Sequence, residues 1–369
     1  MTEGEGYFLY HSIGQYPGKG AAMGQALAEF SARWAATDDG QWPYALGVKQ
    51  RFIALWARLI GVAPATVTTC ESVTAGLYSL IGALPDDALR GRRVLVAGDC
   101  FPSLHFLLAG LQDRFGFTLE TVPLRPGAFW VEDEDMLARW GPDVGVALLT
   151  WVTSTASHRC DVARLVAHGR KVGSLTGIDL TQGIGLLPFD AGRAGVDFVL
   201  STSLKWVCGA PGAGMLHATP DLIARARPEF RGWFSQNNPF NWALDGFAYA
   251  PDMRRFDNGT PAVMAAAASV PALEWALDGG EARLAHNRAL GARLIEGLDE
   301  RGIELASPRD TERRGGSIMA RLDGAAALVD ALRGQGIHAD ARGAILRLSP
   351  GAVTTGAGVE RLLAALPRG

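Results

Sequence analysis

The chain has 369 residues, of which 48% are hydrophobic and 20% are charged, and its net charge at pH 7 is -3. These values are ordinary for a globular protein and exclude disordered and fibrous classes. Because the net charge is close to zero, no overall field attracts nucleic acid or an anionic membrane, and we expect neither as a partner. The length is sufficient for two domains.

The start of the chain and its cysteines carry no sign of secretion or of a metal centre. The first six residues are acidic and are not followed by a long apolar run, unlike a secretory signal. The four cysteines lack CxxC spacing, which predicts neither a zinc site nor a disulfide framework. The apolar stretch 262–277 contains Pro271 and Glu274 and predicts a packed helix rather than a membrane span. We therefore expect a cytoplasmic protein without a bound metal.

The hydrophobic pattern predicts three regions. Residues 1–20, rich in glycine, tyrosine and proline, are expected to form an extended N-terminal arm. In residues 21–270 short apolar strands alternate with amphipathic helices, which is typical of a parallel sheet covered on both faces. Residues 271–369 predict a small α+β domain. The predicted helices are 21–36, 48–60, 103–111, 162–171, 282–301, 325–332 and 358–366, and the predicted strands are 94–97, 144–150, 172–180, 198–202, 317–322, a short strand near Ile337, and 345–348.

Ligands of such sheets bind beyond the carboxyl ends of the strands, so the residues that follow each strand are the candidates for a site. Lys205, one of only four lysines, follows strand 198–202 and precedes a glycine-rich loop. Apolar surroundings disfavour the charged form of a lysine, and a neutral amine can form an imine with an aldehyde. Hydroxyls at Thr202 and Ser203 could contact a phosphate. The alternative is a surface lysine beside an ordinary loop, and this segment alone does not decide between them.

Asp179 ends another apolar strand, where a carboxylate is costly without a cationic or hydrogen-bonding partner. A protonated pyridine nitrogen is such a partner, because an ionised aspartate beside it keeps the ring an electron sink. The alternative is an aspartate that caps a helix.

Two further strand ends complete the pattern. Ser72 and Val73 precede an amphipathic run, and a serine that opens a helix is a natural phosphate cup. Phe101 follows strand 94–97, where an aromatic side chain can stack on a planar ring. The alternative for Ser72 is a helix N-cap without a ligand, and the alternative for Phe101 is a side chain packed in the core. The order phosphate cup, aromatic, aspartate and lysine along one sheet is more specific than any single member.

This order resembles kynureninase, a class V member of the pyridoxal 5'-phosphate (PLP) enzymes of fold type I, over nearly the whole chain. The resemblance implies an α/β fold with a mixed, mostly parallel sheet in a large domain and a small C-terminal α+β domain. It also implies PLP as cofactor, an amino-acid substrate and a homodimer with shared active sites. The segments that carry it are His11-Ser12-Ile13-Gly14, Phe101-Pro102-Ser103, Asp179-Leu180-Thr181-Gln182, Ser203-Leu204-Lys205, Gly232-Trp233-Phe234, Gly259-Thr260-Pro261, Asp340-Ala341-Arg342 and Leu346-Arg347-Leu348.

By this resemblance Lys205 and Asp179 are the catalytic residues, with Lys205 as the Schiff-base lysine and Asp179 on the pyridine nitrogen. Trp233 and Thr260 reach the phosphate across the dimer interface. Ser12, Arg342 and Arg347 bind substrate, with Arg347 on its α-carboxylate. The remaining cofactor-binding residues are expected to be Ser72, Val73, Phe101, Ser103, Gln182, Thr202 and Ser203.

Several residues depart from the kynureninase pattern. Leu204 replaces a phosphate-binding tyrosine, Leu104 an aspartate, Gln182 a histidine, and Ser235-Gln236 a glycine–histidine pair. The upstream histidine that approaches the substrate ring in the family is absent. We therefore expect the cofactor chemistry to be retained and the aromatic-substrate pocket to be altered.

The leading hypothesis is kynureninase-like cleavage at the β/γ carbons of an amino acid, with a changed substrate. An aminotransferase or a β-lyase on the same scaffold shares the first half of that mechanism and stays open. A cysteine desulfurase is disfavoured, because those enzymes use a cysteine in a C-terminal loop and this chain has none after Cys208. A non-enzymatic PLP-fold protein is the remaining alternative, and the joint presence of Lys205, Asp179 and Arg347 disfavours it.

Overall fold

A computed structural model describes residues 4–367 as two β-sheets with helices packed around them. The strands are β1 Val67–Cys70, β2 Arg93–Ala97, β3 Thr118–Val122, β4 Val144–Thr150, β5 Leu175–Asp179, β6 Phe198–Thr202, β7 Gly214–Ala218, β8 Glu304–Leu305, β9 Ile318–Arg321, β10 Asp340–Arg342 and β11 Ile345–Leu348. The helices are α1 Lys19–Trp34, α2 Gln41–Leu59, α3 Val73–Ile81, α4 Asp86–Leu89, α5 Pro102–Phe115, α6 Asp133–Arg139, α7 Val162–Val172, α8 Ala191–Ala194, α9 Pro220–Arg225, α10 Val263–Leu277, α11 Gly280–Asp299, α12 Ala325–Arg333 and α13 Gly356–Ala365.

The larger sheet has seven strands in the order β1-β7-β6-β5-β4-β2-β3. Strands β3, β2, β4, β5 and β6 pair in parallel, whereas β7 runs antiparallel to both β6 and β1. All strands except β7 therefore end at the same edge of the sheet. The expected α/β fold with a mixed, mostly parallel sheet is confirmed.

Both faces of this sheet are buried, which explains the nearly continuous apolar runs of its strands. Alternate residues of β6 enter different cores, because successive strand side chains point to opposite faces. Val199 packs in the core under α2, α7 and α10, whereas Phe198 and Leu200 pack in the core under α3 and α5. Helices hold the sheet on both sides and leave its carboxyl edge for ligands.

The second sheet is antiparallel, with the order β10-β11-β9-β8, and α11, α12 and α13 pack against it. The N-terminal arm joins this sheet rather than the larger one. Phe8 is fully buried in its core, Tyr7 pairs with His338, and Leu9 pairs with Ser349. The arm therefore runs along the C-terminal sheet before it reaches the larger sheet.

The structure corrects some predicted bounds. The second helix begins at Gln41, not at residue 48. The predicted strand 172–180 is shorter, because α7 extends to Val172 and ends on Gly173 with φ 77°, and β5 begins only at Leu175. The short strand expected near Ile337 lies at β10, while Ile337 itself is a core residue.

The three predicted regions, 1–20, 21–270 and 271–369, stay a prediction. The proposed boundary after residue 270 falls inside α10, which packs on α1 and α2. Among residues 4–367, no helix is both long and apolar enough to cross a membrane.

Candidate active site

A cavity of about 380 Å³ opens at the carboxyl edge of the larger sheet. It lies where the loops after β1, β2, β4, β5 and β6 converge, as the topology requires. Several candidates from different parts of the sequence line it together: Ser72, Val73, Phe101, Asp179, Gln182, Thr202 and Lys205.

Lys205 places a buried amine in the lining of this cavity. Burial lowers its pKa to about 8, an effect that Arg347 and Arg342 reinforce and the Asp179 carboxylate opposes. The neutral form, which nucleophilic attack on an aldehyde requires, is therefore more populated near physiological pH than it is for an exposed lysine. The Nζ atom lies 5.1 Å from the centroid of the Phe101 ring, so the amine and an exposed aromatic face share one space.

Asp179 lies at the end of β5 and is almost fully buried. Its Oδ1 accepts a hydrogen bond of 2.9 Å from the Thr181 N–H. Burial raises the pKa of Asp179, while hydrogen bonding from Thr181 and the charge of Lys205 act in the opposite direction. Thr181 lines the cavity beside Asp179. A cationic ligand group placed against Asp179 would offset the burial of its carboxylate.

A second part of the cavity lining has the features of an anion cup. Ser72 adopts an extended backbone conformation and caps α3, accepting a hydrogen bond of 3.1 Å from the Ala75 N–H. Val73 opens the nine-residue helix, whose first-turn N–H groups have no partner within the helix. Thr202, at the end of β6, lines the same cavity.

Two predicted hydroxyl residues lie outside the cavity. Ser203 is fully buried, and its Oγ donates to the Ala213 carbonyl at 2.5 Å. This bond ties the lysine segment to the start of β7. Ser103 is half-buried in the first turn of α5, behind Phe101.

Arg347 and Arg342 lie behind one wall of the cavity. Asp340 and Arg347 are directly opposed on β10 and β11, and an Arg347 Nη2–H donates to the Asp340 carboxylate. Arg347 Nη1 also donates to the Ser154 carbonyl at 3.2 Å, and Arg342 reaches the Ser154 hydroxyl at 3.5 Å. Because Ser154 lines the cavity, both guanidinium groups contact a residue of its wall.

His11 and Asp340 belong to segments that resemble the kynureninase pattern, but no role was predicted for either residue. His11 is buried, and its ring contacts the Ser349 hydroxyl at 2.6 Å and Asp340 at 3.2 Å. Its carbonyl accepts a hydrogen bond of 3.1 Å from the Gln182 side chain. Ser12, the residue expected to bind substrate, is half-buried beside it. The local sequence signal for a buried His11 was its position directly after the apolar run that ends at Tyr10.

Trp233 and Thr260 do not line the Lys205 cavity of their own chain. Trp233 packs against Trp42 and Trp242, with ring centroids 6.2 and 5.7 Å away. Thr260 lines a neighbouring cavity of about 310 Å³ that shares Glu71 with the first one. Their expected contact with a phosphate in the partner's site stays a prediction.

Comparison with known proteins now places the chain. The family described as aminotransferase class-V matches residues 54–345. The chain belongs to the aminotransferase class-V family. A kynureninase of Deinococcus radiodurans is 31% identical over 307 residues, covering 80% of this chain and 68% of that protein. A kynureninase of Geobacillus thermodenitrificans is 27% identical over 330 residues, covering 86% of this chain and 76% of that protein. The kynureninase-like assignment made from the motifs is confirmed.

Solved structures show the same fold at low sequence identity. A variant of C-DES with glycine covalently linked to its PLP cofactor superposes with a TM-score of 0.87 at 20% identity, covering 98% of this chain and 95% of that one. An apo cysteine desulfurase from Thermococcus onnurineus superposes with a TM-score of 0.85 at 17% identity, covering 97% of this chain and 92% of that one. Fold type I of the PLP enzymes is therefore confirmed.

The cofactor of this class-V enzyme is PLP, and the cavity fits it. Lys205 supplies a buried amine, Asp179 a buried carboxylate, and the start of α3 an anion cup, and all three line the same cavity. When bound, PLP supplies an electron sink for charge that develops on the α-carbon of a substrate.

Proposed function

We propose that this enzyme cleaves the bond between the β and γ carbons of an α-amino acid that carries a γ-carbonyl group, as kynureninases do. Water is the second reactant: its oxygen enters the acyl product, a carboxylic acid, and the remaining three-carbon fragment leaves as alanine. The substrate is proposed to differ from kynurenine. The relatives named kynureninase support the reaction type, while the identities of Leu104 and Gln236 support a changed side-chain pocket.

The observation that carries the proposal is the placement of Arg347 relative to Lys205. Arg347 donates a hydrogen bond of 3.2 Å to the Ser154 carbonyl, and Ser154 lines the same cavity as the amine of Lys205. A substrate whose α-carboxylate binds Arg347 therefore presents its α-carbon near that amine. Arginine suits this role because it remains charged when buried and binds carboxylates through two N–H groups.

In this proposal the protein residues have separate tasks. Lys205 holds the cofactor before substrate arrives and then, as a free amine, accepts the α-proton. Asp179 holds the positive end of the cofactor ring. Phe101 covers one side of the cavity, and Ser72 and Thr202 bind the phosphate. Trp233 and Thr260 of a second chain are proposed to complete the phosphate site in a homodimer.

An aminotransferase is the second candidate, since a Bacillus subtilis protein described as the uncharacterized aminotransferase YcbU is 25% identical over 296 residues, covering 80% of this chain and 76% of that one. Both reactions begin with removal of the α-proton, so the described side chains serve either one. They differ in products: an aminotransferase converts the amino acid to a keto acid and leaves its amine on the cofactor.

The deciding experiment is to incubate the holoenzyme with pools of amino acids and to identify the products by mass spectrometry. Alanine together with a new carboxylic acid supports the proposal. A keto acid that retains the complete carbon skeleton supports the aminotransferase. Pyruvate together with a released side chain would identify a β-lyase and overturn the proposal. A Lys205→Ala variant treated identically is the control for chemistry that free PLP performs alone.

A further inference from the structure

A continuous chain of hydrogen bonds connects the N-terminal arm to Arg347. The Ser317 and Ser349 hydroxyls are 2.6 Å apart, and Ser349 Oγ is 2.6 Å from His11 Nδ1. On the other side of the ring, His11 Nε2 is 3.2 Å from Asp340 Oδ2, the same oxygen that accepts from Arg347. The arm, the C-terminal sheet and the guanidinium group are therefore joined through one histidine.

The hydrogen-bonding capacity of each group fixes the direction of these bonds. An ionised aspartate only accepts, so His11 Nε2 carries the proton that Asp340 receives. Burial keeps His11 neutral by lowering its pKa to about 4, so its Nδ1 accepts from the Ser349 hydroxyl. Ser349 has then used its only proton, and Ser317 must donate to it. Each hydrogen bond in this series therefore has one assigned donor and one assigned acceptor.

Asp340 is held from two sides by this arrangement. His11 and Arg347 both donate to it, and their attraction keeps its pKa well below the usual range. The Asp340 side chain is 35% exposed, whereas that of Arg347 is only 9% exposed. Asp340 and Arg347 form one of the three residue pairs between β10 and β11, so this partly exposed carboxylate fixes the buried guanidinium and determines where its remaining N–H groups point.

The N-terminal arm also connects His11 to a residue that follows a strand of the larger sheet. The His11 carbonyl accepts from Gln182, three residues beyond Asp179, and Gln182 lines the Lys205 cavity. On the other side, Arg347 donates to the Ser154 carbonyl in the loop after β4. His11 thus lies between a residue of the cofactor cavity and the counter-ion of Arg347.

We propose that His11 and Asp340 are positioning residues for the substrate carboxylate: His11 orients Asp340, and Asp340 orients the Arg347 guanidinium toward the cavity. This inference rests on the proposed function, in which Arg347 binds the α-carboxylate. Neither residue contacts the reacting atoms. Their contribution is to hold a long side chain in one geometry, since misplacement of a binding group by about 1 Å weakens its effect by up to about a hundredfold.

The test compares two ligands that differ only in the carboxylate. L-alanine and ethylamine, which is alanine without its carboxylate, are titrated into the holoenzyme, and their dissociation constants are read from the cofactor absorbance. In His11→Phe, which keeps a ring but makes no hydrogen bond, we expect the preference for L-alanine to fall about tenfold. Binding of ethylamine should stay within about twofold of the wild-type value.

Two further variants keep the inference testable if His11→Phe does not fold. His11→Gln places an amide N–H near the position of Nε2 and should retain most of the preference for L-alanine. Asp340→Ala alters a half-exposed residue and should reduce the preference as His11→Phe does. An unchanged preference in Asp340→Ala overturns the inference, and an increased preference overturns it by showing that Asp340 competes with the ligand for Arg347.

Arg347→Ala separates this inference from the proposed function. If it abolishes the preference for L-alanine while His11→Phe and Asp340→Ala preserve it, the positioning role is wrong and the carboxylate site stands. If Arg347→Ala leaves the preference intact, the carboxylate binds elsewhere and both are wrong.

Discussion

Gly14 of the arm lies directly against the backbone of Lys205. Its N–H donates to the Leu204 carbonyl at 2.9 Å. A Cβ atom added at Gly14 would lie 1.8 Å from the Lys205 carbonyl oxygen and 2.6 Å from Cys208 Sγ. No side chain fits in this contact, so the arm approaches the lysine segment only because residue 14 is a glycine.

Gly14→Ala should therefore displace the arm from the lysine segment. We expect a loss of about 1–3 kcal/mol of stability, typical of overpacking, together with faster proteolysis of the arm before α1. Thermal unfolding of the holoenzyme and limited proteolysis measure the two effects. Gly24→Ala in α1 is the matched control, because no atom lies within 4 Å of its added Cβ. That control should be neutral or stabilise the protein by up to about 1 kcal/mol, and equal destabilisation of both variants would contradict the contact.

Lys205 should be the residue that binds the cofactor covalently. Borohydride reduction of the yellow holoenzyme, followed by peptide mapping, should place the adduct on Lys205. An adduct on Lys19, Lys49 or Lys171 would refute the assignment. Lys171→Ala changes an exposed lysine of α7 and should leave the spectrum unchanged.

The rate at which PLP attaches to the apoprotein should depend on pH. Only the neutral amine reacts, and the pKa of Lys205 is lowered to about 8. The rate should therefore rise as the pH increases toward about 8 and level off above it. Because the Asp179 charge opposes the lowering, Asp179→Asn should shift the midpoint to lower pH. Stopped-flow absorbance measures the rate, and a midpoint near the ordinary value for lysine, about 10.4, would contradict the burial of the amine.

The active sites should be shared between two chains of a homodimer. Trp233 and Thr260 lie outside the Lys205 cavity of their own chain, and an obligate interface of this kind would bury more than about 2,000 Å². Lys205→Ala and Trp233→Ala homodimers should each retain little lysine-bound cofactor after dialysis. Subunit exchange between them should restore it, because one site of each hybrid is intact. A monomer with full cofactor occupancy, or hybrids without recovery, would refute the shared site.

L-kynurenine should be a poor substrate. Leu104, at the position of a family aspartate, is fully buried in the core, and the Gln236 side-chain amide donates to the Trp233 and Asn241 carbonyls. Gln lacks the aromatic face and the titration near neutral pH of the histidine it replaces. Fluorescence of the anthranilate product gives kcat/KM for kynurenine and 3-hydroxykynurenine. A value above about 10⁴ M⁻¹s⁻¹, ordinary for an efficient enzyme, would show that the pocket still recognises kynurenine.

The sequence revealed those site residues whose position follows from a local rule. Asp179, Phe101 and Lys205 each follow a strand of a parallel sheet, and this rule alone places them at one edge. The partnership of His11 and Asp340 depends on two residues 329 positions apart, and no local pattern predicts such a contact. Ser203 was predicted to bind the cofactor because it lies close to Lys205 in the sequence. In the structure its hydroxyl instead donates to the Ala213 carbonyl, which lies beside it because β7 pairs antiparallel with β6.

The two sheets divide the candidate site residues between them. Lys205 and Asp179 belong to the seven-stranded sheet, whereas Asp340 and Arg347 face each other on the four-stranded one. A rigid rotation of one sheet relative to the other would change the distance between the Lys205 amine and the Arg347 guanidinium without breaking any hydrogen bond within either sheet. In the proposed function this span must match the fixed distance between the α-carbon and the α-carboxylate of an amino acid, so substitutions where the two sheets meet should change how well every α-amino acid binds, even though the substituted residues do not touch the reacting atoms.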